Sequence, residues 1–357
     1  MKGRCDIAFY AAAFVAGDLA AGGCDFFWPG AGFAPIRAAI TIILAILTIA
    51  AAVLLTHKRA QIAAIAAFLM LGVANAAIGR YPAEDSPLRQ RANTAKAEIS
   101  AQLADIAGGG SEGAIISAIA IGDRSGLTKD LKSDFRRSGA MHLIALSGLH
   151  VGVLYLFLTL TFAVLGNSRP ARLMRKLLIL ALLWTYAFVS GMSNSIMRAA
   201  IMITVYEIGE IAGSRRDLLR ALAVSALIIT LLDPSAPFQI GFQLSFGAMA
   251  AIRFIYPPLK SILETRSVIM EKLWNTVALS ISCQAATAPL VLLYFGTFPK
   301  YFLITNLVAI PITTAGMYIA PLALVTKNLP IAGDFLGGAL QATLHLLQSV
   351  IAIIAQL

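Results

Sequence analysis

Charged side chains are scarce in this sequence. Of its 357 residues only 13% are Asp, Glu, Lys or Arg, whereas 59% are hydrophobic. A soluble domain of this length cannot bury so much apolar surface, so the composition excludes an ordinary soluble globular protein. Apolar stretches near the ~20 residues that cross a bilayer recur between residues 36 and 357. The sequence therefore predicts a protein that lies in lipid.

Residues that bind metals or form disulfides are also few. The three cysteines, Cys5, Cys24 and Cys283, show no metal-ligand or redox spacing, so neither a zinc site nor a disulfide framework is predicted. No Gly-Lys pair occurs, which excludes a P-loop, and any motor must be another protein. No cofactor is predicted. The four histidines are His57, His142, His150 and His345.

The hydrophobic pattern predicts an all-α membrane protein, a polytopic bundle of about ten to eleven transmembrane helices. The predicted spans are 7–22, 36–56, 62–79, 140–165, 177–190, 194–212, 220–232, 238–256, 274–294, 301–325 and 334–357. The first contains Asp18 and no clean processing site, so it is predicted to remain as a weak span. Pro311 and Pro321 are expected to break the tenth span into half-helices.

Basic residues set the predicted orientation. With a cytoplasmic N-terminus, the inside loops carry most of the Lys and Arg and the short outside loops carry little beyond Arg37 and Lys300. The predicted regions are an N-terminal three-span region at 1–79, extracytoplasmic amphipathic helices at 80–139 and a transmembrane channel domain at 140–357. The chain stops within apolar sequence, which suggests truncation. The inside residues are Lys58, Arg59, Arg169, Arg172, Arg175, Lys176, Arg215, Arg216, Arg220, Lys260, Arg266, Lys272 and Lys327.

Two helices are predicted in the polar segment 80–139. The first begins at the N-cap Ser86, with Pro87 in its first turn, and ends before three glycines at 108–110. Its apolar face comprises Leu88, Ala92, Ala95, Ile99, Leu103 and Ile106. The second, at 128–138, has an apolar stripe of Leu127, Leu131 and Phe135 and a basic remainder of Lys129, Lys132, Arg136 and Arg137. Its basic face could follow incoming phosphates, be solvated or contact lipid headgroups.

The sequence FRRSGAMHLIALSGLHV at 135–151 closely resembles the signature of the ComEC competence family. Further matches follow in the family's order at 121–124 (IGDR), 190–191 (SG), 195–199 (SIMRA), 233–234 (DP), 241–246 (GFQLSF) and 306–311 (NLVAIP). The resemblance covers about residues 86–325 and implies an inner-membrane channel for uptake of single-stranded DNA in natural transformation. It also implies an extracytoplasmic DNA receptor and a cytosolic helicase-like ATPase as partners, besides the lipid bilayer.

The chain departs from the family pattern in two ways. An OB-fold domain does not fit into the sixty or so residues after the third predicted span. A metallo-β-lactamase-like nuclease domain is not expected either, because no H-x-H-x-D-H motif occurs. The prediction is a short form that is not an enzyme, has no catalytic or metal-binding residues, and leaves room for a separate nuclease.

Polar residues within the predicted spans are candidates for the DNA path, because phosphates in hydrocarbon require polar surroundings. Each alone is better explained as an interhelical hydrogen bond. Arg198 could contact phosphate or pair with Glu207 or Glu210. The complete candidate set is Lys129, Lys132, Arg136, Arg137, His142, Ser147, His150, Asn194, Ser195, Arg198, Gln243, Ser245 and Asn306.

Other patterns favour packing roles. His142 and His150, eight apart on one predicted helix, are interpreted as hydrogen-bonded histidines rather than metal ligands. Phe238, Phe242 and Phe246 are expected to pack rather than to stack on bases. Gly333 and Gly337 form a lone GxxxG motif, which is interpreted as a site of close helix packing.

Three further functions remain open. A small-molecule or lipid transporter with broken helices would use Pro289, Pro311 and Pro321, although no inverted repeat is visible. An intramembrane hydrolase would use Ser147 and His150, but these lie three residues apart on one element. The third is an inactive, truncated remnant of a competence protein.

Overall fold

The computed structural model describes residues 13–16, 86–211, 218–263, 265–296 and 298–357. The predicted spans 7–22, 36–56 and 62–79 lie outside these residues, apart from a helical stretch at 13–16, as do Cys5, Cys24 and His57. The chain divides into two compact units. One comprises Met1–Ala83 and Ile201–Arg253, and the other comprises Glu84–Ala200 and Phe254–Leu357.

The regular structure of the described residues is helical, as the composition predicts. The helices are α1 (Pro87–Ile106), α2 (Gly110–Ile116), a π-helix (Ser117–Ile121), α3 (Lys129–Arg137), α4 (Gly148–Thr161) with a 3-10 turn (Phe162–Leu165), α5 (Arg169–Val189), α6 (Asn194–Ile211), α7 (Leu218–Leu232), a 3-10 turn (Ala236–Phe238), α8 (Ile240–Phe254), α9 (Tyr256–Lys260), α10 (Val268–Phe295), α11 (Phe302–Thr326) and α12 (Pro330–Ala355).

Four helices in the described ranges are long and apolar enough to cross a membrane: Gly148–Leu165, α10, α11 and α12. Their mean hydropathies lie between 1.6 and 2.0. Many large apolar side chains on these helices face outward, including Leu293 and Val325, which are 79% and 82% exposed. Such a surface is stable against lipid and not against water. A helical membrane protein is confirmed, while ten to eleven spans stay a prediction.

Two predictions about the spans are wrong. The span predicted at 140–165 begins as a helix only at Gly148, and residues 140–147 form turns, so His142 and His150 do not share a helix. Helix α5 begins at Arg169 and so extends the predicted span 177–190 by about two turns at its start, which leaves that span a prediction. Helix α11 continues through Pro311 and Pro321 and is not divided into half-helices.

The limits of α1 follow its sequence. Ser86 Oγ accepts a hydrogen bond from the Arg89 N–H at 3.2 Å, and the helix ends before glycines whose φ angles of +80°, +73° and +57° are rare for residues with a side chain. The predicted apolar face is buried at Ala92 and Leu103, but Leu88 is 54% exposed. Leu88 lies in the first turn, where the apolar face has not yet reached its neighbours.

A buried helical segment follows, which the sequence pattern did not reveal. Helix α2 and the π-helix together span Gly110–Ile121, and residues 113–121 are all buried. This segment packs in the core of its unit against α1, α11 and α12. Gly113 permits the contact, because a Cβ there would lie 3.1 Å from the Ala104 backbone. The interior side chains of this core include Leu103, Ile115, Ile116, Ile119, Leu143, Ile144, Leu340, Leu344, Leu347 and Ile351.

The GxxxG pair has the predicted packing role. A Cβ at Gly333 would lie 2.8 Å from the Thr326 carbonyl oxygen, and one at Gly337 would lie 3.6 Å from the Ile106 carbonyl oxygen. These glycines therefore let α12 turn back tightly on α11 and approach the end of α1.

Candidate functional site

The IGDR motif at 121–124 forms a turn directly after the π-helix. Gly122 has φ +77°, and a Cβ there would collide with the side chain of Leu146. The carbonyl oxygen of Gly122 accepts a hydrogen bond from Lys96 Nζ at 2.9 Å, which ties the turn to α1. Only glycine satisfies both the backbone angle and the close contact.

Asp123 and Arg124 connect the same turn to two other parts of the chain, namely α1 and the segment before α4. Asp123 Oδ2 accepts from Ser100 Oγ at 2.7 Å, while Oδ1 accepts from the Ser125 N–H and Oγ at 3.0 and 2.7 Å. Burial alone would raise the pKa of Asp123, but the hydrogen bonds from Ser125 and Ser100 and the charge of Lys96 outweigh it, so the pKa lies below its ordinary value. Arg124 Nε donates to the Ile144 carbonyl oxygen at 3.0 Å.

The first half of the signature, at 138–142, is fixed by α11. Buried Thr305 donates its Oγ1 hydrogen to the Ser138 carbonyl oxygen at 2.5 Å. Gly139 has φ +78°, and a Cβ there would lie 3.0 Å from Pro299. His142 Nδ1 lies 3.1 Å from the Gly139 carbonyl oxygen, and because a carbonyl only accepts, Nδ1 carries the proton.

Ser147 and His150 form the N-terminal cap of α4. The Ser147 N–H donates to His150 Nδ1 at 3.1 Å, and Ser147 Oγ lies 2.9 Å from the same nitrogen. Because Nδ1 accepts from a backbone N–H, the ring proton of neutral His150 is on Nε2. That Nε2 is buried and hydrogen bonds to none of the described residues.

Asn306 on α11 lies next to His142. Its amide lies beside the His142 imidazole, and its Nδ2 is 3.5 Å from Ser280 Oγ on α10. Its Oδ1 is buried and accepts no hydrogen bond from the described part of the chain. The His142 and His150 imidazoles lie close enough for the charge of one to affect the other. We name His142, Ser147, His150, Ser280 and Asn306 the histidine junction.

The SG motif at 190–191 forms a second strained turn, between α5 and α6. Gly191 has φ +73°, and a Cβ there would lie 2.8 Å from Asn93 Oδ1 on α1. The next residue, Met192, has φ +52°, which is unusual for a residue with a side chain. Two consecutive left-handed residues make a sharp reversal between the helices.

The start of α6 lies beside the start of α4. A Cβ at Gly148 would lie 3.8 Å from the Ala199 Cβ. Arg198 is only 6% exposed, and its Nε forms no hydrogen bond with the residues described in the structure. Asn194 is exposed and Ser195 is partly buried. The predicted intramembrane arginine is thus buried at the first turns of α6.

Four motif segments therefore meet in the larger unit, namely 121–124, 135–151, 190–199 and 306–311. Lys96 and Thr305 hold these segments by hydrogen bonds, and Asn93 lies against Gly191. Sequence reasoning did not identify these three residues. Lys96 and Asn93 lie in an amphipathic helix where polar residues are ordinary, and Thr305 resembles other hydroxyl residues within a span. Their roles depend on tertiary contacts with residues far along the chain.

Gln243 and Ser245 lie in the other unit. Gln243 Nε2 donates to the Pro237 carbonyl oxygen at 3.1 Å, and Asp233 accepts from Ser235 and Gln239, so the DP and GFQLSF motifs fix the turn before α8. Ser245 is partly buried. Phe242 and Phe246 stack with ring centroids 4.1 Å apart, and Phe242 is in this unit's core, which confirms packing for these two rings. Phe238, on the preceding 3-10 turn, is 41% exposed.

Helix α3 has the predicted amphipathic form. Thr128 Oγ1 caps it by accepting from the Leu131 N–H at 3.2 Å. Its apolar stripe of Leu127, Leu131 and Phe135 is buried in the core. Its basic residues Lys129, Arg136 and Arg137 are exposed, and Lys132 is partly buried.

Clusters suited to metal binding or hydrolysis are not found in the described ranges. They contain no group of three or more His, Cys, Asp or Glu residues that could hold a metal ion. Ser147 and His150 are within hydrogen-bond distance, but the Ser147 backbone N–H shares the same ring nitrogen. A serine hydrolase also needs a third group that orients its histidine, and none of the described residues bonds to Nε2.

Comparison with known proteins points in one direction. A family model described as Competence protein matches residues 119–357. The chain is 30% identical over 200 residues to ComE operon protein 3 of Bacillus subtilis (strain 168), covering 56% of this chain and 24% of that protein. It is 30% identical over 241 residues to the competence protein ComA of Neisseria gonorrhoeae, covering 64% and 32% respectively.

A further relative is the uncharacterized protein YcaI of Escherichia coli (strain K12), 24% identical over 231 residues, which cover 62% of this chain and 30% of YcaI. The chain thus spans about a quarter to a third of the length of these curated relatives. No solved structure matches it.

Proposed function

Because this chain belongs to the competence protein family, we propose that it forms a membrane channel for the uptake of single-stranded DNA during natural transformation. The channel lies in the bacterial inner membrane with a cytoplasmic N-terminus and ten to eleven spans. Residues 1–79 form an N-terminal three-span region, residues 80–139 are extracytoplasmic helices, and residues 140–357 form the channel domain.

One observation carries this proposal: four of the family's motif segments meet in the larger unit, around the polar side chains of the histidine junction at the start of α4. A phosphodiester cannot cross hydrocarbon without polar surroundings, because an unpaired charge there costs many kcal/mol. Neutral donors and acceptors can replace water around DNA without holding a phosphate too tightly to release it. His150 and Asn306 supply such groups at the meeting point of α4 and α11.

Buried polar atoms without partners support a hydrated path. Most buried polar atoms in proteins have a hydrogen-bond partner, so each exception calls for water or a substrate. Several such atoms lie on the helices around the junction. In the described part of the chain they include Ser193 Oγ, Gln284 Nε2, Asn306 Oδ1, Thr313 Oγ1 and His150 Nε2.

The proposed channel requires partners. An extracytoplasmic receptor delivers DNA, a cytosolic helicase-like ATPase pulls it, and a separate nuclease removes the second strand. The basic face of α3 is the proposed first contact for the incoming phosphates, and Arg198 is a second phosphate contact.

Substitution of Asn306 tests the channel. In the strain that encodes this chain, Asn306→Leu should lower both transformation and the amount of labelled DNA that becomes protected from external nuclease by about tenfold or more. The matched control is Asn328→Leu, because Asn328 is exposed beyond the end of α11. Normal uptake in an Asn306→Leu strain with normal protein levels would show that the junction is not part of the DNA path. Normal uptake in a strain from which the gene is deleted would instead support the hypothesis that this chain is an inactive remnant.

The transporter and hydrolase functions are tested separately. A transporter built on broken helices fits this chain less well, because α11 is continuous at Pro311 and Pro321. An intramembrane hydrolase would be revealed by covalent labelling of Ser147 with a fluorophosphonate that disappears in Ser147→Ala.

A further inference from the structure

A cavity of about 350 Å³ lies where the short helix α9 leads into α10. Its polar lining consists of Lys260, Ser261, Thr265, Glu271 and Asn275. The cavity is open to the surface, because the side chains of Lys260, Ser261 and Glu271 are exposed, and its volume is within the roughly 300–1,000 Å³ of small-molecule sites. None of the residues that line the cavity belongs to a competence motif or to the histidine junction.

Local hydrogen bonds form the walls before any ligand arrives. Trp274 Nε1 donates to the Lys260 carbonyl oxygen at 3.0 Å, so the start of α10 is tied back to the end of α9. Ser261 Oγ donates to the Pro258 carbonyl oxygen at 2.9 Å, and Thr265 Oγ1 accepts from the Ser267 N–H at 3.2 Å. A preformed wall lowers the entropic cost of binding.

The residues that line the cavity include one basic and one acidic side chain. Lys260 is its cation and Glu271 is its anion, and neither forms an ion pair with any residue that the structure describes. Asn275 Oδ1 is buried and accepts no hydrogen bond from these residues. A cation and an anion that form no ion pair among the described residues, beside an acceptor that none of these residues uses, match a ligand that carries a phosphate and an ammonium group together.

The surroundings place the cavity at the level of lipid headgroups. Helix α10 has 28 residues, more than the ~20 needed to cross hydrocarbon, so its first turns extend into the interface. Ile262, Val268 and Ile269 are 70%, 65% and 74% exposed beside the cavity, and the neighbouring Arg266 and Lys272 are exposed as well. Exposed apolar side chains next to basic ones are typical of segments that lie in the membrane interface.

We propose that this cavity binds the phosphoethanolamine headgroup of a membrane phospholipid. The phosphate lies against Lys260 and the hydroxyl group of Thr265, and the ammonium donates to Glu271 and to Asn275 Oδ1. A choline headgroup has no N–H to donate, and a glycerol headgroup has no cation for Glu271. The site therefore selects phosphatidylethanolamine over both, and it does not depend on the proposed DNA channel.

Lipid titration of the purified chain in detergent tests this proposal by native mass spectrometry. Phosphatidylethanolamine should bind about tenfold more tightly than phosphatidylcholine or phosphatidylglycerol, the ratio that corresponds to one charge-assisted hydrogen bond. The isosteric Glu271→Gln should abolish this preference, whereas Lys260→Gln should weaken the binding of all three lipids alike, because all three carry the phosphate. Lys272→Gln is the matched control, because Lys272 is exposed on α10 outside the cavity. Equal binding of all three lipids by the wild type, or an unchanged preference in Glu271→Gln, would overturn the proposal.

The fluorescence of Trp274 provides a second measurement of lipid binding, which does not use mass spectrometry. In a Trp28→Phe, Trp184→Phe background Trp274 is the remaining tryptophan, and its indole contacts the wall of the cavity. Phosphatidylethanolamine should change its fluorescence in the wild-type and Lys272→Gln cavities and not in Glu271→Gln. Free phosphoethanolamine should fail to displace the lipid at equal concentration. Displacement would show that the site serves a soluble compound and would overturn the lipid assignment.

Discussion

Gly122 illustrates how a single residue fixes the meeting point of several helices. Its φ of +77° and the nearby Leu146 side chain exclude a Cβ. We expect Gly122→Ala to lower the free energy of unfolding by about 2–4 kcal/mol, because left-handed strain and overpacking add. Denaturant unfolding in detergent measures this. Leu146→Ala in the same chain should recover part of the loss, and Gly152→Ala, where a Cβ would meet no neighbour, should have little effect.

His150 is expected to contribute to stability through its Nδ1 and to transport through its Nε2. His150→Asn can still accept from the Ser147 N–H, whereas His150→Phe cannot. We therefore expect His150→Phe to cost about 1 kcal/mol of stability, the usual value of a cap, and His150→Asn to cost much less. Thermal unfolding separates the two variants. If DNA uptake falls in both to the same extent, the Nε2–H is needed for transport, and uptake that follows stability alone would contradict a transport role.

At the scale of helices, the sequence predicts a helix limit best where residues close along the chain determine it. Ser86, Pro87 and the glycines at 108–110 bound α1 as expected, and Thr128 begins α3. The start of α4 was predicted wrongly because residues 140–147 are apolar enough for a helix. Distant groups hold them in turns instead: Thr305 bonds to Ser138, and Arg124 bonds to Ile144. A pattern along the chain does not contain such contacts.

Because Asp123 bonds to Ser100 on α1, we expect the stability that this contact contributes to depend on pH. The folded-state pKa of Asp123 is below its ordinary value of 3.8, so the carboxylate stabilises the fold above that pH and loses its effect as the pH falls through the lower folded-state value. The difference in unfolding midpoint between wild type and Asp123→Asn should be constant from pH 7 to about pH 5 and should shrink below about pH 4. A difference in unfolding midpoint that grows as the pH falls would contradict the expected direction of this dependence.

Helix α3 predicts a salt-dependent contact with DNA. Replacement of Lys129, Lys132, Arg136 and Arg137 by Gln should weaken binding of single-stranded DNA and flatten the slope of log affinity against log salt. Each lost phosphate contact contributes ~0.7, so four would change the slope by up to ~3. Fluorescence anisotropy of labelled DNA at several salt concentrations measures this. Gln at Arg169, Arg172 and Arg175 on α5 is the control, and an unchanged slope in the α3 variant would favour a solvated or lipid-facing helix.

The whole molecule has an orientation that can be tested directly. In a chain without Cys5, Cys24 and Cys283, a cysteine at Arg172 should be protected from an impermeant thiol reagent in intact cells, and one at Ala97 should react. Both positions are exposed in the structure, so burial does not decide the outcome. The opposite labelling pattern would reverse the proposed topology. The composition predicted a membrane protein and the motifs predicted its family, but the contacts among the motifs became visible only in the folded chain.

The buried segment Gly110–Ile121 has a consequence for the order in which the protein is made. At ~1.5 Å per residue it is about 18 Å long, too short to cross the bilayer alone. Two of the helices that cover it, α11 and α12, lie near the other end of the chain and leave the ribosome roughly 200 residues later. Until then only α1 can cover part of its apolar surface. Nascent chains that stop before Phe302 should therefore associate with holding chaperones or be degraded, and those that include α12 should escape both fates.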